Sequence, residues 1–409
     1  MAESGTHLRD ARLARGFTVA ETCRGITYVY EYLAYESNQV SLPPDITIAV
    51  AERLGVQLLL DPRSSHDHVE LAVQLEAAAR LGDWHTMEFL LRSLPGNEFA
   101  QTFFTALVDE RKGDFATALE RLGTLRGIAS APLWTLRVLV AICRCARDSG
   151  DLEISVAAGE EALSFVRSLD HIDDEIEAEL RATLAGTYCE TGDITKALDL
   201  TDIGLEEVQP APWATVTLHW ARAMTLQTLG RFAEAHDAAN IALRVLRTLE
   251  RPSALARMQN AAAWIALQVP GFDVEMAYAL LRESEDFFRQ VGAPLELALV
   301  LTTRAEFEVL RNERDLAIGL AHAATSLLDN AEAGERARIT AAAAQIYASV
   351  GDHEESMRHL LQARHLLEES GARRSAAGIW KQMAETYAAL GQVDLQVACL
   401  RAAMELLAL

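Results

Sequence analysis

A glycine, usually followed by an acidic residue, returns along this chain at an almost constant interval. The positions are Gly82-Asp83, Gly113-Asp114, Gly150-Asp151, Gly192-Asp193 and Gly230-Arg231, then Gly271-Phe272, Asn312-Glu313, Gly351-Asp352 and Gly391-Gln392. Successive separations are 31, 37, 42, 38, 41, 41, 39 and 40 residues. Glycine readily enters the left-handed conformation that ends a helix, and an aspartate after it can cap the next helix. Around Gly192 the apolar pattern agrees. Leu184, Ala185 and Tyr188 share one helical face before the break, and Ala197, five residues past it, lets the second helix come close. Pro132, Pro212, Pro252 and Pro294 each open a new apolar-periodic run, as suits a first helical turn. Two helical segments per period predict an all-α solenoid of about nine helical hairpins over residues 68–409.

These residues resemble tetratricopeptide repeats, most closely at Leu184/Tyr188/Gly192/Ala197, Ala344/Tyr347/Gly351 and Ala384/Tyr387/Gly391. The interval is longer than that family's period of about 34 residues, so an extra turn or a longer link is expected in each hairpin. The resemblance implies a right-handed superhelix.

Composition narrows the function. Half of the 409 residues are hydrophobic, and a formal charge of −22 argues against broad attraction to nucleic acid or anionic membrane. Glu3, Arg9 and Asp10 interrupt any leader-like start, and the longest uncharged run, 258–272, is too short to span a bilayer, so a cytoplasmic protein is expected. Cys23, Cys143, Cys145, Cys189 and Cys399 are scattered and read as buried thiols. His353, His359 and His365 lie at roughly helical spacing without nearby cysteines and read as a solvated face. Acidic pairs such as Glu160/Glu161, Glu206/Glu207 and Asp173/Asp174 read as solvated helix ends. No phosphate loop, nucleophile elbow or metal-ligand spacing is present, so no enzyme activity, metal or cofactor is expected.

Residues 1–61 depart from the repeat. Leu8 to Arg15 reads as a helix closed by Gly16, Thr18 caps a second, a third runs from about Tyr28 to Tyr35, and Asp45 to Leu54 ends at Gly55. These joints resemble the Xre (Cro/C1-type) helix-turn-helix domain, most specifically at Leu8/Arg12/Gly16/Phe17/Thr18 and Ile48/Ala51/Leu54/Gly55/Val56. The resemblance implies five short helices in 1–61, and Pro62 with the polar run Arg63 to Asp67 marks a hinge at 62–67. It also implies a structural salt bridge between Arg12 and Glu36. Asn38 stands where the family usually has glycine, and it is the next-best residue for a left-handed turn. The turn from Cys23 to Thr27 is about one residue shorter than is usual in the family. The helix placed to enter the major groove, Thr27 to Tyr35, contains no Arg, Lys, Gln or Asn. Arg9, Arg15 and Arg24 are the candidate phosphate contacts, and Thr27, Tyr28, Tyr30 and Glu31 the candidate base contacts. Five arginines stand against eight acids over 1–61, an unusual balance for a DNA-binding head.

A helix-turn-helix head on a tetratricopeptide body resembles the RRNPP peptide-sensing regulators or a related Xre regulator. That architecture implies a transcriptional regulator, homodimeric on duplex DNA, whose groove binds a short peptide or a segment of a partner protein. The alternative is an interaction scaffold whose degenerate head binds protein and never DNA. In a tetratricopeptide superhelix the first helix of each hairpin lines the inner face. Counting back thirteen, ten, six and three residues from each junction places Arg137, Arg144 and Arg147 there, then Glu179. Thr217, Trp220, Met224 and Gln227 follow, then Gln259 with Asn260 beside it, Thr302 with Glu306, Arg338 with Gln345, and Lys381 with Glu385. The three arginines would make a cationic patch suited to a carboxylate, and Trp220 and Met224 an apolar contact. Gln227, Gln259, Asn260, Thr302, Arg338 and Gln345 would hydrogen-bond an extended backbone.

Overall fold

A computed structural model describes residues 4–56, 66–81, 83–92, 98–128, 132–169, 174–207, 211–249, 251–328, 331, 333–369 and 373–406. These form twenty-two α-helices and no strand. The head opens with α1 (Ser4–Ala14), α2 (Val19–Cys23), α3 (Val29–Glu36) and α4 (Pro44–Arg53). Local chemistry sets each boundary. The Thr18 hydroxyl accepts from the Glu21 amide at 3.2 Å while the Glu21 carboxylate accepts from the Thr18 amide at 2.8 Å, a reciprocal cap for α2. Asn38 takes φ 54° after α3, and its side chain ties the start of α1 to the end of α3. Its Oδ1 accepts from the Gly5 amide at 3.1 Å and its Nδ2 donates to Thr6 Oγ1 at 2.6 Å. Gly5 permits this because any side chain there would collide with the Tyr35 carbonyl.

Leu8, Ala11, Tyr32, Tyr35, Ile48, Ala51 and Leu54 form the head's core, and Val69, Ala72 and Val73 complete it. Those three belong to α5 (His66–Leu81), whose later residues Leu75 and Ala78 enter the next core instead. One continuous helix is thus shared by the head and the first repeat. Four helices lie within 4–56, and α5 is the fifth of the cluster. Of the expected hinge at 62–67, residues 62–65 lie outside the described residues, and His66 and Asp67 open α5.

Helices then follow in pairs: α6 (Trp84–Leu91) after α5, α7 (Glu98–Arg111) with α8 (Phe115–Leu125), and α9 (Pro132–Ser149) with α10 (Leu152–Val166). Next come α11 (Asp174–Thr191) with α12 (Ile194–Glu207), α13 (Pro212–Thr228) with α14 (Phe232–Leu246), and α15 (Pro252–Leu267) with α16 (Val274–Val291). The last are α17 (Pro294–Leu310) with α18 (Arg314–Ser326), α19 (Ala333–Ser349) with α20 (His353–Glu369), and α21 (Arg373–Ala389) with α22 (Val393–Leu406). All four prolines singled out in the sequence are the first residue of a helix. Gly82 lies outside the described residues, but the other eight junction residues all have positive φ. At seven of the eight the next amide turns back to the carbonyl five residues earlier, as Asp193 does to Tyr188 and Asp352 to Tyr347, both at 2.8 Å; after Gly271 the Phe272 amide instead meets the Val269 carbonyl at 3.1 Å. Five residues past the junction the side chain is small and fully buried at Ala118, Ser155, Ala197, Ala235, Ala317 and Ser356. Where it is serine the hydroxyl needs a partner. Ser155 donates to the Cys143 carbonyl and Ser356 to the Ala344 carbonyl, each at 2.8 Å and each seven residues before its junction.

The chain divides into two units, each described by itself. The first comprises Met1–Arg147, Asp151–Thr225 and Arg244–Glu250; the second comprises Asp148–Gly150, Leu226–Leu243 and Arg251–Leu409. In the first, Trp134 meets Phe103 edge-on at 5.1 Å, and Leu136, Leu139, Leu180 and Leu184 continue the core along α9 and α11. In the second, alanines 305, 317, 321 and 343 pack tightly, and Leu360, Met383 and Tyr387 fill the last pairs. Among the described residues no helix is long and apolar enough to cross a membrane.

Candidate functional site

In the head, Arg12 and Glu36 meet in a two-pronged ion pair, Nε to Oε1 at 2.6 Å and Nη2 to Oε2 at 2.9 Å, with the Glu36 side chain 3% exposed. Arg12 Nη1 also donates to the Phe17 carbonyl at 3.0 Å, so one guanidinium joins α1, the turn after it and α3. The outward side of α3 is apolar and aromatic. Tyr28 and Tyr30 are each 68% exposed and stack at 5.7 Å, with Val29 and Leu33 also in solvent. Thr27 donates its hydroxyl to Glu31 at 2.7 Å, so the one acid of this face is already engaged within its own turn. Arg24 stands exposed at the end of α2. Arg9 lies on α1 and is half-buried.

Arg15 departs from its expected role. Its side chain is 8% exposed and its guanidinium lies 3.6 Å from Glu175 of α11, itself 12% exposed. Beside it, a side chain at Gly16 would meet Pro212 Cδ, the first residue of α13, at 3.1 Å. The end of α1 is therefore seated on α11 and α13 within the first unit, and Arg15 is not presented to solvent as a phosphate contact.

Two of the three arginines of the expected cationic patch of α9 are neutralised. Arg137 forms a two-pronged pair with the buried Glu76 of α5 at 2.7 and 2.9 Å, and its guanidinium lies 4.2 Å from the Trp134 ring. Arg144 holds the buried Glu110 of α7, with Nη2 to Oε2 at 2.7 Å, and reaches Glu179 of α11 with its other arm. Arg147 lies across α11, where a side chain at Gly186 would meet its Nη1 at 2.9 Å. Arg137 and Arg144 stitch first helices together, and the acids they meet stand at inner positions themselves: Glu76 six residues before Gly82, Glu110 three before Gly113 and Glu179 thirteen before Gly192. On α13, Thr217 donates its hydroxyl to the Trp213 carbonyl at 3.0 Å, Trp220 is half-buried and Met224 is exposed.

Gln227 and the remaining inner positions belong to the second unit. Gln259 is buried and donates to Glu283, and Thr302 is buried and donates to the Leu299 carbonyl at 2.7 Å. Arg338 pairs with Glu335 on its own helix at 3.0 Å, and the exposed Gln345 accepts from Gln382 of α21 at 2.9 Å. Asn260 and Glu306 differ from all of these. The Asn260 Oδ1 is shielded from solvent and accepts no hydrogen bond. Burial pushes the Glu306 carboxyl up to about 7, and a hydrogen bond from Trp264 of α15 offsets part of that rise. No ion pair reaches Glu306 among the described residues. Arg304, on the same helix, is turned to Glu285 and Glu308. Trp264 escaped the inner-position count, although its place four residues beyond Asn260 on one helix was a usable signal.

Elsewhere, Cys23, Cys143, Cys145 and Cys399 are buried thiols and Cys189 is half-buried; burial raises the Cys143 thiol above its ordinary range. His353 and His365 are exposed, but His359 is not part of a solvated face: it is buried against Tyr347, with Nδ1 2.9 Å from the Glu355 carbonyl. No cluster of three metal-ligating side chains occurs among the described residues.

No family model and no curated protein matches the chain. Solved structures do. The apo form of RapI aligns with a TM-score of 0.54 at 11% identity, covering 83% of this chain and 97% of that one. A Rap protein complexed with competence and sporulation factor gives 0.53 at 12% identity, covering 83% and 98%. The Pyrococcus horikoshii signal-transduction ATPase with a tetratricopeptide repeat sensor gives 0.50 at 11% identity, covering 100% of this chain and 63% of that one. At these identities the likeness is one of fold, and it places the chain among helical-repeat structures.

Proposed function

We propose that this chain is a ligand-responsive regulator of transcription: a cytoplasmic homodimer, not an enzyme, whose repeats bind a short peptide and whose head binds duplex DNA. The observation that carries the reading is the division of labour along α3. Tyr32, Tyr35 and Glu36 are buried to hold the head together, while Tyr28 and Tyr30 are left in water beside Thr27 and Arg24. A helix so presented after a short capped helix is the geometry by which such heads enter a major groove. The fold likeness to a Rap protein complexed with competence and sporulation factor supports a ligand-carrying repeat body. Phosphate contacts then fall to Arg9 and Arg24, and Arg15 joins them only if its contact with Glu175 opens.

A mobility-shift assay at low salt, against the upstream region of the chain's own gene and a random-sequence duplex library, tests this. A shift weakened by Arg24→Ala, with a salt slope smaller by about one unit, is the expected result. No shift with either probe, for the parent and for Glu175→Ala, would hand the exposed aromatic face to a protein partner and the chain to the scaffold reading.

A further inference from the structure

We infer that the face shared by α15 and α17 in the second unit binds a cationic group, an ammonium or guanidinium carried by the peptide. The inference rests on the peptide-binding reading and names which chemistry the peptide must bring. Charge bookkeeping across the first helices sets Glu306 apart. Glu76 holds Arg137, Glu110 holds Arg144, and Glu308 of α17 holds Arg311 at 3.1 Å. Each of these shielded carboxylates has its cation. Glu306 lies two residues before Glu308 on the same helix, half-buried, and among the described residues has only the hydrogen bond from Trp264.

A second group makes the same demand. Asn260 Oδ1 is shielded from water and accepts nothing, although shielded carbonyl oxygens are almost always satisfied. Asn260 and Trp264 are four residues apart on α15 and so project from one face, the face from which Trp264 reaches Glu306. The arrangement therefore presents a carboxylate and an amide oxygen, both acceptors, around a half-buried indole. An anion is repelled by Glu306, and a neutral ligand leaves its charge uncompensated. A guanidinium or ammonium supplies several N–H donors and a positive charge, and the indole ring offers it a favourable face. Arg304, the cation nearest to Glu306 along α17, is held elsewhere by Glu285.

The test uses the full-length chain and pools of randomised pentapeptide amides with a fixed central residue: arginine, lysine, citrulline or glutamate. All are N-acetylated, and a fifth pool with citrulline at the centre keeps its free amino terminus. Calorimetry should show the arginine or lysine pool, or the free-amine pool, binding at least about tenfold tighter than the acetylated citrulline pool, which separates a basic side chain from an amino terminus as the source. Glu306→Gln keeps the shape and should abolish that preference, and Glu306→Asp should restore part of it. Equal affinity for all pools, or a preference that survives Glu306→Gln, overturns the cationic site while leaving peptide binding intact. If no pool binds, the peptide reading fails, and small amides decide the site alone. A shift of the Glu306 carboxyl NMR signal with arginine amide or Nα-acetyl-arginine amide but not with the neutral Nα-acetyl-citrulline amide supports it, and an equal shift with all three, or with none, overturns it.

Discussion

A carboxylate without a cation makes stability depend on pH in the sense opposite to a salt-bridged acid. The Glu306 carboxyl is raised from the ordinary 4.5 to about 7 by burial, so between these values the folded chain binds more protons than the unfolded one. Stability from this group is complete below the lower value and is lost as pH rises through the upper one. Glu306→Gln should match the parent as pH falls towards 4.5 and exceed it at pH 8, by up to about 3 kcal/mol. Denaturation curves at a series of pH values check this, and parallel pH profiles for the two proteins would mean that the carboxylate has a partner. Arg12 is the opposite case. Arg12→Ala leaves Glu36 buried and alone, at a cost of about 3–5 kcal/mol, and chemical denaturation should register it as loss of the head's transition. Arg12→Lys should recover only part, because an ammonium cannot reproduce the two-pronged contact.

At the scale of elements, the junctions and the seat of α1 carry the testable consequences. Asn312 holds φ 59° where the other described repeat junctions have glycine. Asn312→Ala should cost up to about 1–2 kcal/mol, since it keeps the Cβ that the left-handed conformation crowds against the next carbonyl and loses the short polar side chain that lets asparagine tolerate it, whereas Asn312→Gly, which removes the Cβ, should cost nothing. Thermal melts of the two variants, compared with the parent, decide. The contact of Arg15 with Glu175 links the end of α1 to α11, so Glu175→Ala should raise amide exchange at Gly16 and Phe17, the residues that close α1. Unchanged exchange there would show that the packing of Gly16 on Pro212 suffices. The junctions were legible in advance because a left-handed stop and an aspartate cap act within a few residues. The seat of α1 was not, since Arg15 and Glu175 are separated by most of the first unit's chain.

For the whole molecule, the shared helix α5 bears on how the head can be separated from the repeats. A chain beginning at His66 would expose Val69, Ala72 and Val73, and residues 1–61 alone would lack them from the head's core. Both truncations should therefore lose cooperative melting, while a head ending at Leu81 should retain it; circular dichroism on the three fragments gives the answer. What the sequence determined by itself is the class of fold: helix stops, caps, proline starts and small buried positions are local, and together they specify a run of helical hairpins. The resemblance to Xre domains further implied the Arg12–Glu36 pair, because both residues sit at set points of one motif. The charge state of the inner face was decided only in three dimensions. Arg137 meets Glu76 across 61 residues and Arg144 meets Glu110 across 34, so two of the three arginines that read as a free cationic patch are already neutral. Glu306, one inner-position acid among several, is the carboxylate left without a cation among the described residues. Ion pairing between helices of different hairpins depends on how each helix is rotated and shifted against the next. That is set by the packing of whole faces, which the spacing of residues along one helix does not contain.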